Sequence, residues 1–503
     1  MSKLKKYRNL LEPFPIELKA NKSRGRYIVT QKTITPGETL LIETPTAYTI
    51  LKSCNRIFCN YCCKKINPNV GNKSTPKLFG IVLDNNDTIT CMDCRQQSFW
   101  CSNECQMNDK IHTLTCRYIA QLPGIAGSTS TDYNLLRLIL NIIAHELLEY
   151  EEKTAGETPH ACLMDLLSHQ RSYDVQFLDS VRAAATDIYS LFQEENSPLV
   201  GLNSIEEIVK LACRINSNSH AIHDPSGIVT QPIGVGMFPL VAMLNHSCSP
   251  NAVFVTGKDG TMIVQSTKLI KEGEEICVSY TDIFAPRWER QGKLLTSKFF
   301  WCSCLRCMDD SADKIIDGFK CSNCNDGYLY PSNDSYICSC GLTQSTEDML
   351  LKTRKIGIDD AMDIYRAGMF DSAEMAFKQC LEVASDILHP YNHLYLMIYV
   401  NLTTLTSRQS KFLSAIEYCE KSIAVMEEIA AEGKMGQNIL ELANLYEQYG
   451  QLLEISAEAI KEQLVQGDES MAIEFLNKSA IIFDKVKNIR TVCYGPNNLL
   501  LHG

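Results

Sequence analysis

Between residues 59 and 116 the chain sets down four ligand-type pairs in succession: Cys59-x2-Cys62, Cys91-x2-Cys94, Cys101-x3-Cys105 and His112-x3-Cys116. A Cys-x2-Cys pair can bring both sulfurs to one side of a tight turn, and a His-x3-Cys pair shares one face of a helical turn. Eight such ligands suffice for two tetrahedral zinc ions. A segment this short cannot bury a core of its own, so its fold depends on its metal. Alternating pairs are expected to share ions: Cys59, Cys62, Cys101 and Cys105 on one, and Cys91, Cys94, His112 and Cys116 on the other.

Seven more cysteines fall into ligand-like groups. Cys302-x-Cys304-x2-Cys307 supplies three thiolates and leaves a tetrahedral site one ligand short. Cys248 is an attractive fourth, a buried free thiol being the alternative. Cys321-x2-Cys324 with Cys338-x-Cys340 resembles a small zinc ribbon with a short hairpin between its arms. Cys54, Cys63, Cys162, Cys213, Cys277, Cys380, Cys419 and Cys493 are scattered and read as small buried hydrophobes. The first twenty residues have basic side chains but no apolar core for a secretory signal. Clustered cysteines without such a signal point to metal rather than disulfides, and to a soluble intracellular protein.

From Pro225 to Gly257 the chain has no Asp, Glu, Lys or Arg. A membrane span is excluded because Pro225, Pro232, Pro239 and Pro250 interrupt the run, and Asn245, His246 and Asn251 are expensive in lipid. The net charge of −11 argues against a general DNA-binding surface and suits a basic protein or peptide partner. Lys64, Lys65, Lys73 and Lys77 read as a solvated loop rather than a nucleic-acid patch.

Residues 24–50 read as strands around a turn at Pro36-Gly37. Residues 131–223 are helical, with Ser204 as an N-cap before "IEEIVKLACRI". Residues 233–282 return to strand-like runs, with a hairpin turn at Lys258-Asp259-Gly260. From about 345 onward the chain is helical. Ala373, Ala415 and Ala472 recur at one small-residue position, which reads as a degenerate helical repeat or else a packed bundle.

Taken in order, "RGRYIVTQKTITPGETLL", the eight-ligand cluster, "IGVGMFPLVAMLNHSCSPN", "GEEICVSYTD" and "FFWCSCLRC" resemble the SET-and-MYND-domain protein-lysine methyltransferases. The resemblance spans nearly the whole chain; the ribbon cluster is its exception, occurring only in some relatives. It implies a multidomain α+β protein whose β-rich SET domain is split by a MYND zinc finger and a helical insertion. The implied divisions are residues 1–53 and 212–284 for SET, 54–117 for the finger and 118–211 for the insertion. Residues 285–310 would form the post-SET zinc region, 311–344 the ribbon-like segment and 345–503 the all-α TPR-like domain.

The family's chemistry is S-adenosylmethionine-dependent methyl transfer to a lysine amine, on histone or non-histone proteins. Donor and lysine enter from opposite faces and meet in a narrow channel, where the protein's task is orientation. An uncharged wall suits that task, because the amine must be neutral to attack. By resemblance, Arg24, Gly25, Asn218, Asn245, His246 and Phe300 contact the donor, and Tyr280 is the catalytic channel tyrosine. By spacing alone Tyr280 is equally a core tyrosine at a strand end. Zinc is the second cofactor: three ions, with a fourth at the ribbon.

Several positions depart from the family's pattern. The usual Gly-x-Gly reads Ser23-Arg24-Gly25, followed by Arg26 and Tyr27. Lys298 stands where a second channel tyrosine is usual, and His220 where an aromatic lines the channel; a shift of register would bring Phe299 to the first of these. Residues 63–90 are a longer insert than is usual and read as a surface loop. The expected partners are a substrate protein, a proline-rich peptide at the finger and a protein at the helical repeats, for a monomer in the cytoplasm, the nucleus or both. The competing expectation is an adaptor with an impaired SET domain, favoured by Lys298 and His220.

Overall fold

The computed structural model describes residues 5–66, 77–78, 81–82, 89–151, 158–194, 197, 199, 204–224, 231–324, 326–332, 334–464 and 467–495. Most of the insert between Cys62 and Cys91, and Lys73 within it, lie outside the described residues.

Strand Ile16–Asn21 turns back on Gly25–Thr30 in an antiparallel pair. The Asn21 carboxamide oxygen accepts the backbone N–H groups of Ser23 (3.1 Å) and Arg24 (2.7 Å). Gly25 follows at φ +68°, a left-handed conformation that costs glycine little. The turn is therefore built from an Asn and one Gly, where the family's pattern has two glycines. Thr39–Glu43 follows the Pro36-Gly37 turn and pairs with Met262–Ser266, which pairs on its other edge with Ala252–Thr256. Asp259 and Gly260, both at positive φ, close the turn between the last two. A second antiparallel sheet sets Gly234–Met237 between Ala47–Ile50 and Ser219–Ile222.

The inserted helices cover these sheets. Tyr133–Glu151 buries Leu136, Leu138, Ile139, Leu140, Ile142 and Ile143. Val175–Phe192 and Ile205–Asn218 start on Asp174 and Ser204, whose side chains accept the N–H groups of Phe177 and Glu207. Arg26 is drawn toward them, meeting Asp165 at 2.6 Å and the Tyr7 hydroxyl at 3.1 Å.

Residues 231–244 of the uncharged stretch form the wall between sheets and cleft, with Phe238, Leu240, Val241, Met243 and Leu244 buried. One carboxyl meets it from outside: Glu43 accepts the N–H groups of Leu240 (2.9 Å) and Val241 (2.8 Å). Residues 245–251 then wrap the short strand Cys277–Val278, two residues before Tyr280. Asn245–His246 pairs in parallel with Cys277–Val278. The Asn251 carboxamide accepts the N–H of Cys277 (2.8 Å) and donates to the Glu275 carbonyl (2.9 Å).

Beyond the post-SET region, four short antiparallel strands from Phe319 to Ser345 make the ribbon. The helices from Ile358–Arg366 to Glu469–Tyr494 then pack each on the next in chain order, as repeat proteins do. Ala373, Ala415 and Ala472 are fully buried, which explains their recurrence. The domain bends back onto the β-sheet region: Ser249 donates to the Lys434 carbonyl (2.8 Å), and Asn438 to that of Thr267 (2.8 Å). Among the described residues no helix is long and apolar enough to cross a membrane.

Candidate active site and its metal centres

All sixteen candidate metal ligands gather into four groups of four, with the ligand atoms of each group within 4.8 Å of one another. The alternating pairing in the finger is the one observed. Sγ–Sγ separations are 3.5 Å for Cys101–Cys105 and Cys248–Cys307, 3.6 Å for Cys62–Cys101, Cys91–Cys116 and Cys324–Cys338, and 3.7 Å for Cys321–Cys340. A disulfide would need about 2.05 Å. Four thiolates around zinc at ~2.3 Å stand about 3.8 Å apart, so the spacing fits the ion and excludes the bond.

Two further observations fit zinc. Both ring nitrogens of His112 are buried without a hydrogen-bond partner, beside Cys91, Cys94 and Cys116. Burial, reinforced by Arg137, pushes the imidazole down to about 4, so it is neutral, as a ligand must be. In the ribbon, a Cβ on Gly327 would lie 2.3 Å from the Cys324 sulfur and 3.0 Å from that of Cys338. Only glycine leaves room there. Seven of the eight scattered cysteines are buried, and none joins a cluster.

Cys248 lies with Cys302, Cys304 and Cys307, which ties the uncharged stretch to the segment after the helix Arg287–Lys298. His246 links this cluster to the cleft. Its Nδ1 accepts the Tyr280 N–H (3.0 Å), so its proton sits on Nε2, which faces the Cys248 sulfur at 3.2 Å. Behind the thiolates lie two buried guanidinium groups. Arg306 donates to the carbonyls of Cys248 (2.9 Å) and Ile283 (2.6 Å), and Arg290 stands 3.7 Å from Asp313. Each keeps two buried nitrogens without a hydrogen-bond partner. Four thiolates on one divalent cation would carry two net negative charges, which Arg306 and Arg290, the latter shared with Asp313, would help to balance.

In front of the cluster opens a cavity of about 1720 Å³. Arg24, Gly25, Asn218, Asn245, His246, Tyr280 and Phe300 all line it, as do His220 and Lys298. Asn245 donates to the Glu275 carboxylate (2.9 Å) and the Arg24 carbonyl (3.3 Å), while the Arg24 guanidinium holds the other Glu275 oxygen at 2.9 Å. Asn218 spends its amide hydrogens on the carbonyls of Leu167 and Arg214, both at 2.8 Å, leaving its oxygen. Phe300 faces His246 (6.2 Å) and Tyr280 (6.5 Å). The Tyr280 hydroxyl donates to the Leu244 carbonyl, and burial pushes it well above the ordinary phenol range. Tyr280 lines the cleft and also packs against the core behind it.

Lys298 and Phe299 both line the cavity, and Lys298 is the one beside Tyr280. Its Nζ donates to the Ser217 carbonyl (2.8 Å) and lies 5.6 Å from the centre of the Tyr280 ring. Phe299 turns instead to His169 and Tyr173. His220 packs edge-on to Phe254 (5.4 Å) and Phe238 (6.1 Å), and its Nδ1 is buried without a hydrogen-bond partner.

Burial first, then Lys298, pushes His220 down to about 4. A His with a depressed folded-state pKa stabilises above its unfolded value and loses that contribution as pH falls through the folded one. The stability gap between wild type and His220→Phe is therefore expected to move in the variant's favour from about pH 6.5 toward about 4, by on the order of 2 kcal/mol. Denaturant melts across that window measure it; parallel curves would refute the buried neutral imidazole.

Sequence reasoning passed over Glu275, Glu43, Ser217, Arg290 and Arg306. Glu275 shares a strand face with Cys277 in "EEICVSY" and could have been found by that alternation. Ser217 acts through its carbonyl, which no side-chain pattern reveals.

The SET domain family model matches residues 25–281, just over half of the chain. The Arabidopsis thaliana histone-lysine N-methyltransferase ASHR1 is 26% identical over 341 residues, covering 65% of this chain and 64% of that protein. Human N-lysine methyltransferase SMYD2 is 25% identical over 373 residues, covering 68% and 82%. A solved SET domain of LSMT, bound to lysine and AdoHcy, shares 9% identity at a TM-score of 0.28, too distant to bear on the site. The chain belongs to the SET-domain family.

Proposed function

We propose that this protein transfers a methyl group from S-adenosylmethionine to a lysine amine of a substrate protein. The observation that carries this reading is a single cavity with Asn245, His246 and Phe300 beside Tyr280, backed by four thiolates. The donor supplies an electrophilic methyl on a positively charged sulfur. Arg24, Gly25, Asn218, Asn245 and His246 would hold its polar parts, and Phe300 its base. The chain's own task is to orient, exclude water and keep the acceptor amine neutral. The Leu244–Tyr280 pair fixes the channel wall, and the apolar stretch 233–244 keeps it dry.

Zinc is proposed at all four clusters, one ion each, as a structural element. A proline-rich peptide at the finger and a protein at the helical domain remain the proposed partners, with the chain acting as a monomer.

Calorimetric titration with S-adenosylmethionine, followed by transfer of a labelled methyl to a protein extract, tests the reading. Binding with transfer is expected. Binding without transfer favours the adaptor, and absence of both removes the donor from the site. Lys298→Tyr is expected to raise transfer to the extract several-fold, because it takes an ammonium out of a channel that a cationic lysine must approach. Turnover equal to wild type would mean Lys298 does not obstruct the acceptor.

A further inference from the structure

Lys298 closes the helix Arg287–Lys298, and Phe299 follows at φ +61°, a left-handed step for a bulky residue. That step ends the helix at the cleft, where Lys298 is half-buried rather than solvated. Its neighbours are the Ser217 carbonyl, the Tyr280 ring, His169 and His220. No carboxylate pairs with it among the described residues. A lysine recruited only to hold the helix end would be expected at the surface or on an acid, since desolvating an ammonium is costly. This one ends beside the channel tyrosine, where an acceptor amine is expected.

On the reading of the cleft as a methyl-transfer site, we propose that Lys298 is itself an acceptor: the protein methylates its own Lys298 Nζ. Burial makes the ammonium easier to deprotonate, so the proton leaves to solvent first. The neutral amine has two hydrogens; one stays on the Ser217 carbonyl and fixes the nitrogen, leaving its lone pair for attack. The lone pair forms the new C–N bond as the donor's S–CH3 bond breaks. The bonding pair stays on sulfur, which becomes a neutral thioether, and the positive charge passes to the secondary ammonium. Atoms and charge balance with the sulfonium donor alone. Because the acceptor is tethered to the site, it reacts at an effective concentration no diffusing lysine matches.

The experiment uses the purified full chain with methyl-labelled S-adenosylmethionine, followed by peptide mapping. Calorimetry of donor binding and transfer to a protein extract run in parallel. Label is expected on the peptide holding Lys298, appearing with a first-order rate that does not change on dilution. Lys298→Arg and Lys298→Met, both with unchanged melting curves, are expected to lower self-labelling about tenfold or more. Label confined to other lysines overturns the proposal, as does a rate that falls with dilution. If the donor binds and the extract is labelled while Lys298 stays bare, this proposal falls and the methyltransferase reading stands. If neither binding nor transfer is seen, both fall.

Discussion

Cys248→Ser is expected to release one zinc per chain and to weaken donor binding about tenfold or more, with a fall in melting temperature. The argument is mechanical as well as electrostatic. Asn245 and His246 lie just before Cys248 in the chain, and Phe300 lies two residues before Cys302. A metal shared by Cys248, Cys302, Cys304 and Cys307 would therefore pin both flanks of this end of the cleft to one point. Serine leaves three thiolates and a poor fourth donor. It also removes the negative atom that faces His246 Nε2 at 3.2 Å. Arg290 and Arg306, each with two buried unpartnered nitrogens, then lose part of the charge they balance, and an uncompensated buried ion costs several kcal/mol. Cys321→Ser is the matched control. It removes a thiolate from the ribbon, which contributes no residue to the cavity, so zinc should fall by one while donor affinity holds. Metal assay, thermal melts and donor titration read all three effects. Wild-type donor affinity in the Cys248 variant would show that the cleft does not depend on its metal.

Much of this was legible in the chain because metal spacing is a local code. Cys59-x2-Cys62 and His112-x3-Cys116 announce themselves within a turn or two, and eight ligands imply two ions, whereas which pairs share an ion is decided by the fold. The link from Cys248 to Cys302 crosses more than fifty residues. It could be guessed only because three thiolates leave a tetrahedron open. What stayed hidden works through backbone groups or through burial. Ser217 holds Lys298 with a carbonyl, and Glu43 orders the uncharged wall by accepting two backbone N–H groups. Arg290 sits in "RWERQGKLL" among Arg287, Glu289 and Lys293, yet it is fully buried behind the thiolates. A sequence pattern does not reveal that a charge has found its counter-charges in Asp313 and in a thiolate cluster elsewhere in the chain. The Gly-x-Gly departure was visible but its repair was not: Asn21, four residues upstream of Gly25, makes the turn.

Tyr280→Phe is expected to lower turnover by about 10- to 100-fold while donor affinity stays within about twofold. The ring survives the change, so its packing against His246 and Phe300 is kept. What goes is the hydroxyl that donates to the Leu244 carbonyl. That carbonyl belongs to the last residue of the buried wall, and leaving it unpaired costs about 1–3 kcal/mol, which the wall can recover only by moving. A shift of under 1 Å in a channel that works by alignment is enough to produce the loss. The hydroxyl is not the base. Burial holds its ionisation far above physiological pH, with Cys277 and Glu275 adding to the effect, so it stays protonated throughout. Two outcomes separate orientation from proton removal. If Tyr280 orients, the pH profile of the variant keeps the wild-type shape at lower height. If it removed the proton, the variant's profile would lose its rising limb, and the assignment of Tyr280 to the channel wall would have to be given up.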